Sequence, residues 1–353
     1  MRRGVGFPVL ALACAGAVAV SASHAIAQDG GDRPLSAELT PELDAAVAKG
    51  LAYLASTQDE DGSWDGGRFG KNVAITALGC LAFMADGNLP GRGAYGERVD
   101  RGLDFILENC TESGLIAAEG AHGPMYGHGF ATLFLGEIYG MTLGTSDSAR
   151  SVRVHESLVR AVRLIERTQN EEGGWRYNPV PYDADVSVTI CQVMALRSAR
   201  DAGIEVDKSV IDRAVQYARR CQNPDGGFRY QVDGGSSAWP RSAAGVATLY
   251  YAGIYEDQTI NAGLSYLDRT ASPEATRGSR AHYAYGQYYT AQAFFLAGGE
   301  HWARWWPAAR AEIIGDQLDN GAWDDRTAGP NYGTSMMLIC LQMPKRYLPI
   351  YQK

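Results

Sequence analysis

Two carboxylates one residue apart stand immediately before an apolar stretch in Tyr182-Asp183-Ala184-Asp185-Val186-Ser187. A carboxylic acid placed there can deliver a proton if burial or a neighbouring like charge raises its pKa, and an Asp183–Asp185 pair would provide that charge. The structural alternative is a helix cap, because Asp and Ser are favoured N-cap residues and Pro181 suits the start of a helix. Capping accounts for one aspartate and leaves the other without a task. Comparable segments recur as Pro124-Met125-Tyr126-Gly127-His128, Trp239-Pro240-Arg241, His282-Tyr283-Ala284-Tyr285-Gly286-Gln287-Tyr288-Tyr289 and Asn331-Tyr332. Brought to one rim, they would gather two histidines, an arginine, two carboxylates and several tyrosines. Asp185 and Asp183 are therefore the candidate catalytic residues. The candidate binding residues are Tyr126, His128, Trp239, Arg241, His282, Tyr285, Tyr288 and Tyr332. Their aromatic faces suit a developing carbocation, a sugar ring, or plain packing between helices.

Other chemistries find little to work with. No H-E-x-x-H or C-x-x-C spacing occurs, so neither a metal nor another cofactor is expected. No G-x-S-x-G, Walker loop or dinucleotide fingerprint is present. Downstream of Cys14, the cysteines at 80, 110, 191, 221 and 340 are scattered and odd in number. That pattern fits small core residues better than a disulfide framework. Trp302, Trp305 and Trp306 read as a packing cluster on an amphipathic helix.

Arg2 and Arg3 precede an apolar run from Val5 to Val20, and small residues lead to Ala25-Ile26-Ala27. A basic start, a short apolar middle and a small-residue exit describe a secretory signal peptide, cleaved after Ala27. Lipidation at Cys14 is a lesser alternative, since Ala11-Leu12-Ala13 is a poor lipobox. The expected product is exported, to a periplasm or the extracellular space, and carries no membrane span. The formal charge of −8 becomes −10 once the two arginines leave, because residues 1–27 hold no acidic group. Phosphate binding needs a basic surface, so nucleic acid is not an expected partner.

The elements that must position these residues are repeats. Gln58…Gly62-Ser-Trp64, Gln169…Gly173-Gly-Trp175, Gln222…Gly226-Gly-Phe228 and Gln317…Gly321-Ala-Trp323 align without gaps. Weaker copies around Cys110 and Ala271 complete six evenly spaced units, which makes residues 43–353 one array after a linker over 28–42. Each unit reads as an amphipathic helix, a glycine turn, and a second helix that is apolar nearly all round, such as Val73 to Phe83 or Val186 to Leu196. Apolar helices want burial on all sides, so an inner layer within an outer layer is expected. Closing six hairpins into a ring leaves no end repeat with an exposed core face. The fold expected is all-α, an α/α toroid of six helical hairpins whose inner helices all begin at one mouth.

Lys49-Gly50, Tyr53-Leu54, Gln58, Gly62 and Trp64 resemble the QW repeat of squalene and other terpene cyclases, a class also found in protein prenyltransferase β-subunits. The resemblance spans about residues 43–353 and implies the α/α toroid. It also implies a reading of Asp183-Ala184-Asp185-Val186 as a cyclase D-x-D-D motif, with Asp185 on the proton donor, Asp183 in support and Val186 in place of the last Asp. Against the prenyltransferase zinc motif D-x-C-x-S, Asp183 and Ser187 match but Asp185 replaces the thiolate, and protein prenylation is not expected. Three functions follow. The main expectation is an exported protein holding an apolar small molecule or a polymer in its cavity without turnover, with a protein partner also compatible. The alternatives are a terpene-cyclase-like enzyme using Asp185 as general acid, and a carbohydrate-active enzyme on the same scaffold.

Overall fold

The computed structural model describes residue 1 and residues 35–121, 123–142, 148–276 and 281–352. The expected signal peptide with Cys14 and Ala27, and the start of the linker, lie outside the described residues. Twelve main helices follow in order: α1 (Pro41–Thr57), α2 (Val73–Met84), α3 (Gly96–Glu108), α4 (Met125–Thr142), α5 (Ser148–Thr168), α6 (Val186–Asp201), α7 (Lys208–Arg220), α8 (Trp239–Tyr251), α9 (Gln258–Thr270), α10 (Tyr283–Ala297), α11 (Gly299–Gly315) and α12 (Gly329–Gln342). Odd-numbered helices form an outer layer and even-numbered helices an inner one. Helix α7 shows why: Val210, Ile211, Ala214, Val215, Tyr217 and Ala218 are buried on one side, with charges on the other. In α2 every residue but Ala74 is buried. Each inner helix packs on the next, and α12 packs on α2, so the chain is an α/α toroid. Gln342 Nε2 donates to Ala82 O across that junction at 2.9 Å.

The repeat residues fasten hairpin to hairpin in the same way around the ring. Gln58, Gln169, Gln222 and Gln317 each donate Nε2 to the carbonyl of their own turn glycine, at 2.9–3.0 Å. The same nitrogens reach a carbonyl of the following outer helix, at Arg98, Val210, Thr259 and Ala46 respectively. The bond from Gln317 to Ala46 is the ring closure. Trp64, Trp175 and Trp323 donate Nε1 to Leu54, Ile165 and Ile313 of their own outer helix. The turn glycines are required twice over. Gly62 has φ +86°, and a Cβ there would lie 2.2 Å from Arg101 O. Gly321 repeats this against Lys49 O at 2.5 Å.

Helices α8 and α12 begin several residues before the apolar stretches that mark them in the sequence. Pro240 and Pro330 sit in their first turns, where a missing N–H costs nothing. Trp239, Arg241 and Tyr332 are thus helical residues rather than leading-loop residues. The end of the expected linker is also part of the fold. Trp302 Nε1 donates to Glu38 Oε1 at 2.6 Å, and Arg310 donates to the Ala37 and Glu38 carbonyls. Trp302, Trp305 and Trp306 are buried and stack together, as expected. Cys80, Cys191, Cys221 and Cys340 are buried free thiols, and Cys110 is a half-buried one. No described helix is long and apolar enough to cross a membrane.

The C-terminal segment closes the mouth at which the inner helices end. A turn at Pro349–Tyr351 brings the buried Ile350 and Tyr351 against the ring, next to α6. Ile350 N donates to Glu137 Oε2 on α4 at 3.1 Å, while Ser198 Oγ on α6 donates to Glu137 Oε1 at 2.6 Å.

Candidate functional site

At the opposite mouth the inner helices begin, and one residue in the first turn of each, two places before Thr76, His128, Thr189, Ser242, Gln287 or Thr334, lines the opening. These are Ala74, Tyr126, Ser187, Pro240, Tyr285 and Tyr332, one per inner helix, all half-buried. Three are tyrosines followed by glycine, and each glycine has its own reason. A Cβ at Gly127 would meet Val73, one at Gly286 would meet Trp239, and one at Gly333 would meet Trp323 O. Gly127 and Gly286 thus let neighbouring hairpins approach, and Gly333 lets α12 lie against its own turn, while the tyrosines face the opening.

Asp185 lies beside this ring. It is the N-cap of α6, with extended backbone (φ −140°, ψ 158°), and its Oδ1 accepts from Val188 N at 2.9 Å. A bridge to Trp175 holds it, Asp185 N donating to Trp175 O at 3.0 Å. The capping role is therefore real, and it uses only one oxygen. The side chain is fully buried, and Oδ2 accepts no hydrogen bond. Its nearest cation is Arg176, Nε at 3.7 Å. Burial raises the pKa to about 6, against the lowering pull of the cap, Tyr230 and Arg176.

Asp183 plays a different part from the one expected. It is partly exposed and salt-bridged to Arg176, so the guanidinium neutralises it instead of letting it load charge onto Asp185. Burial, not a carboxylate pair, lifts the Asp185 pKa. Arg176, Tyr177 and Tyr230, which the sequence reading missed, complete the site. The Arg176 guanidinium lies over the Tyr177 ring at 5.1 Å and the Tyr230 ring at 5.8 Å, and the two hydroxyls are hydrogen-bonded to each other. Backbone bonds fix these rings to the inner helices, Val186 N to Tyr230 O and Met125 N to Tyr177 O, both 3.0 Å. The Tyr126 ring lies 6.0 Å from that of Tyr177, tilted by 33°. Tyr126 and Tyr285 both lie within reach of the Asp185 charge, which helps burial to hold their hydroxyls protonated.

The remaining candidates are dispersed. His128 does not line the opening. In hairpins 1, 3, 4 and 6 the hydroxyl of Thr76, Thr189, Ser242 or Thr334 accepts the backbone N–H of the motif aromatic. His128 occupies that register in hairpin 2, with Nδ1 accepting from Ile116 N at 3.2 Å and Nε2 3.3 Å from Ala161 O on the outer layer. Burial lowers its pKa to about 4, so it is a neutral wall residue. His282 is an exposed, left-handed residue (φ 56°) capping α10. Arg241 is spent on the Phe228 and Ser236 carbonyls of its own turn. Trp239 donates Nε1 to Thr290 Oγ1 at 2.8 Å, fastening α8 to α10. Tyr288 lies deeper, fully buried between Phe130 and Tyr289 at ring distances of 6.2 and 4.9 Å. Tyr285 and Tyr332 are in the ring at the mouth. No cluster of three metal-binding side chains occurs among the described residues.

Comparison with known proteins sharpens the architecture. A type II terpene cyclase from Scytonema, MstE, superposes with TM-score 0.58 at 15% identity, covering 88% of this chain and 100% of that one. The fold is the one type II terpene cyclases use. Structures of variants of that cyclase hold geranylgeranyl dihydroxybenzoate as substrate and merosterolic acid A as product. The same toroid is shared with cellobiose 2-epimerase from Bacillus thermoamylovorans B4167, at TM-score 0.62 and 13% identity over 86% of this chain and 99% of that one. In sequence, drimenyl diphosphate synthases of Streptomyces showdoensis and Streptantibioticus cattleyicolor are 25% and 26% identical over 233 and 235 residues. Each match covers 65% of this chain and 39% of the relative, so the chain spans about two-fifths of those proteins. No model of a known protein family matches.

Proposed function

We propose that this chain is a terpene-cyclase-like isomerase in which Asp185 is the general acid. One observation carries the reading: a fully buried carboxyl, raised to about 6, spends one oxygen on a helix cap and leaves the other without a hydrogen bond beside a mouth of tyrosines. The protonated acid gives its proton to a terminal carbon–carbon double bond of an isoprenoid. The next double bond attacks the resulting cation and forms a carbon–carbon bond, and loss of a proton from the final cation yields an isomer of the substrate. Tyr126 and Tyr285 present π-faces to the positive charge as it moves. Arg176 keeps Asp183 occupied, so Asp185 is the carboxyl that remains available.

The likeness to named cyclases supports this reading over binding without turnover. A carbohydrate-active enzyme would need further acid–base groups beside the two aspartates, whereas His128 is held in the wall and His282 is exposed at the start of α10. Export remains part of the proposal, resting on the leader-like first residues. The test is conversion of a panel of linear polyisoprenoids, as hydrocarbons, alcohols and diphosphates, by the wild-type and Asp185→Asn proteins. Formation of a cyclic isomer that falls about 10²–10⁴-fold in the variant supports the general acid. Turnover indifferent to Asp185→Asn, or none with any isoprenoid, overturns it.

A further inference from the structure

Five of the six turn motifs fill the space beneath the turn with a side chain, and one does not. In hairpins 1, 3, 4 and 6 the glutamine carboxamide occupies it. In hairpin 5 Ala271 replaces the glutamine, and Trp305 of the next outer helix moves in, donating Nε1 to Ala271 O at 2.9 Å. In hairpin 2 the glutamine is replaced by Cys110, whose short side chain reaches Ile106 O of its own helix at 3.3 Å and lies beside the Ser157 side chain of the next one. What remains is a recess of about 290 Å³ lined by Cys110, Thr111, Glu112 and Arg160.

Arg160 in that lining, with Gly114 and Ser157 buried behind it, repeats the parts that hold a carboxamide elsewhere. Gly114 has φ +89° and abuts Arg160 O just as Gly62 abuts Arg101 and Gly173 abuts Arg213. Its carbonyl matches those of Gly62 and Gly173, which accept from glutamine Nε2. Counting back three residues from each abutting arginine gives the second acceptor, Arg98 and Val210 in those hairpins and Ser157 here. The arginine itself is the donor to the amide oxygen: Arg101 reaches Gln58 Oε1 at 2.9 Å and Arg213 reaches Gln169 Oε1 at 2.8 Å. Among the described residues its counterpart Arg160 has no such acceptor, and makes a 3.5 Å contact to Ser157 Oγ and a 3.9 Å one to Glu156.

We propose that the recess between hairpins 2 and 3 is a binding site for a small ligand bearing a primary carboxamide. The ligand nitrogen donates to the Gly114 and Ser157 carbonyls and its oxygen accepts from Arg160, replacing the missing glutamine. A carboxylate of the same shape is refused, because it would set negative charge against two carbonyl oxygens with no proton between them. The site is separate from Asp185, and its occupancy does not depend on any cyclase chemistry.

The probe is propionamide, with propionate as the isosteric control, followed through the backbone amide resonances of Cys110 and Gly114. Propionamide is expected to produce a saturable shift with a Kd on the order of millimolar, as befits five heavy atoms. Propionate should give none. Cys110→Gln should abolish the propionamide response and raise Tm by roughly 2 °C or more, since it restores the side chain of the other hairpins. Cys110→Ala should keep the response, showing that the wall and not the thiol is the receptor. Absence of a saturable shift at about 100 mM, an equal response to propionate, or persistence of binding in Cys110→Gln overturns the proposal.

Discussion

Two carboxylates are buried on the inner helices, one near each mouth of the ring, and they differ in what surrounds them. Glu137, toward the closed end, has both oxygens occupied, one by Ser198 Oγ and one by Ile350 N. Asp185, toward the tyrosine-lined end, has one oxygen occupied by the cap, while the other faces Arg176 Nε at 3.7 Å without a hydrogen bond. Burial raises both, Glu137 to about 7 and Asp185 to about 6. A raised pKa therefore does not distinguish them, and the unfilled hydrogen-bonding capacity does. Glu137 is a clasp that ties the C-terminal turn to two inner helices, while Asp185 has capacity left for a substrate.

Removing each group should separate the two roles. Glu137→Ala leaves Ile350 N–H and Ser198 Oγ buried without their acceptor and should cost about 3 kcal/mol at pH 5, by urea unfolding. The C-terminal turn should then become accessible to carboxypeptidase, whereas Glu137→Gln, which retains an acceptor, should protect it. A tail equally resistant in Glu137→Ala would mean that packing of Tyr351 alone holds it. Asp185→Asn should act in the opposite direction. A folded-state pKa above the unfolded one means that protonation stabilises the fold, fully below about pH 4, and that this stability is lost as pH rises through about 6. The uncharged variant avoids that loss, so it should gain about 3 kcal/mol over wild type at pH 7 and almost nothing at pH 4. A variant less stable at pH 7 would identify Asp185 as a cap whose anion is needed. The divergence of Asp185→Asn from wild type should level off near pH 6 and that of Glu137→Gln near pH 7, following the two folded-state pKa values. The smallest effect belongs to the ring itself: Trp175→Phe keeps the packed ring and loses the bond to Ile165 O, which should cost about 1 kcal/mol.

The ring was largely legible because its signals are local. A glutamine, a left-handed glycine and an aromatic at fixed spacing each make bonds that their own turn and the next helix dictate, so four good copies were enough to predict closure. The site was legible only in part. Asp185 was visible because a cap position is a sequence feature. Its true neighbour was not, because Arg176 reaches it across a turn, although an arginine directly after the motif Trp175 was available as a clue. His128 misled the rim reading for a reason the repeat contains: Tyr126-Gly127-His128, Tyr285-Gly286-Gln287 and Tyr332-Gly333-Thr334 align, and the third position is a wall position in every hairpin where its contacts are described. Glu137 could have been flagged as a lone charge in an apolar helix. That it would meet Ile350 depends on the path of the tail, which no spacing encodes.

Ring closure has a consequence for how the molecule can come apart. The seam joining Gln317 and Gly321 to the first outer helix uses the same bonds as the junctions within the chain. A linear stack of repeats can fray from an end, because its last unit has one neighbour to leave. Here every hairpin is held from two sides, so opening any one of them requires two interfaces to break together. Amide exchange in the inner helices should accordingly collapse onto a single, all-or-none event instead of a gradient from either terminus.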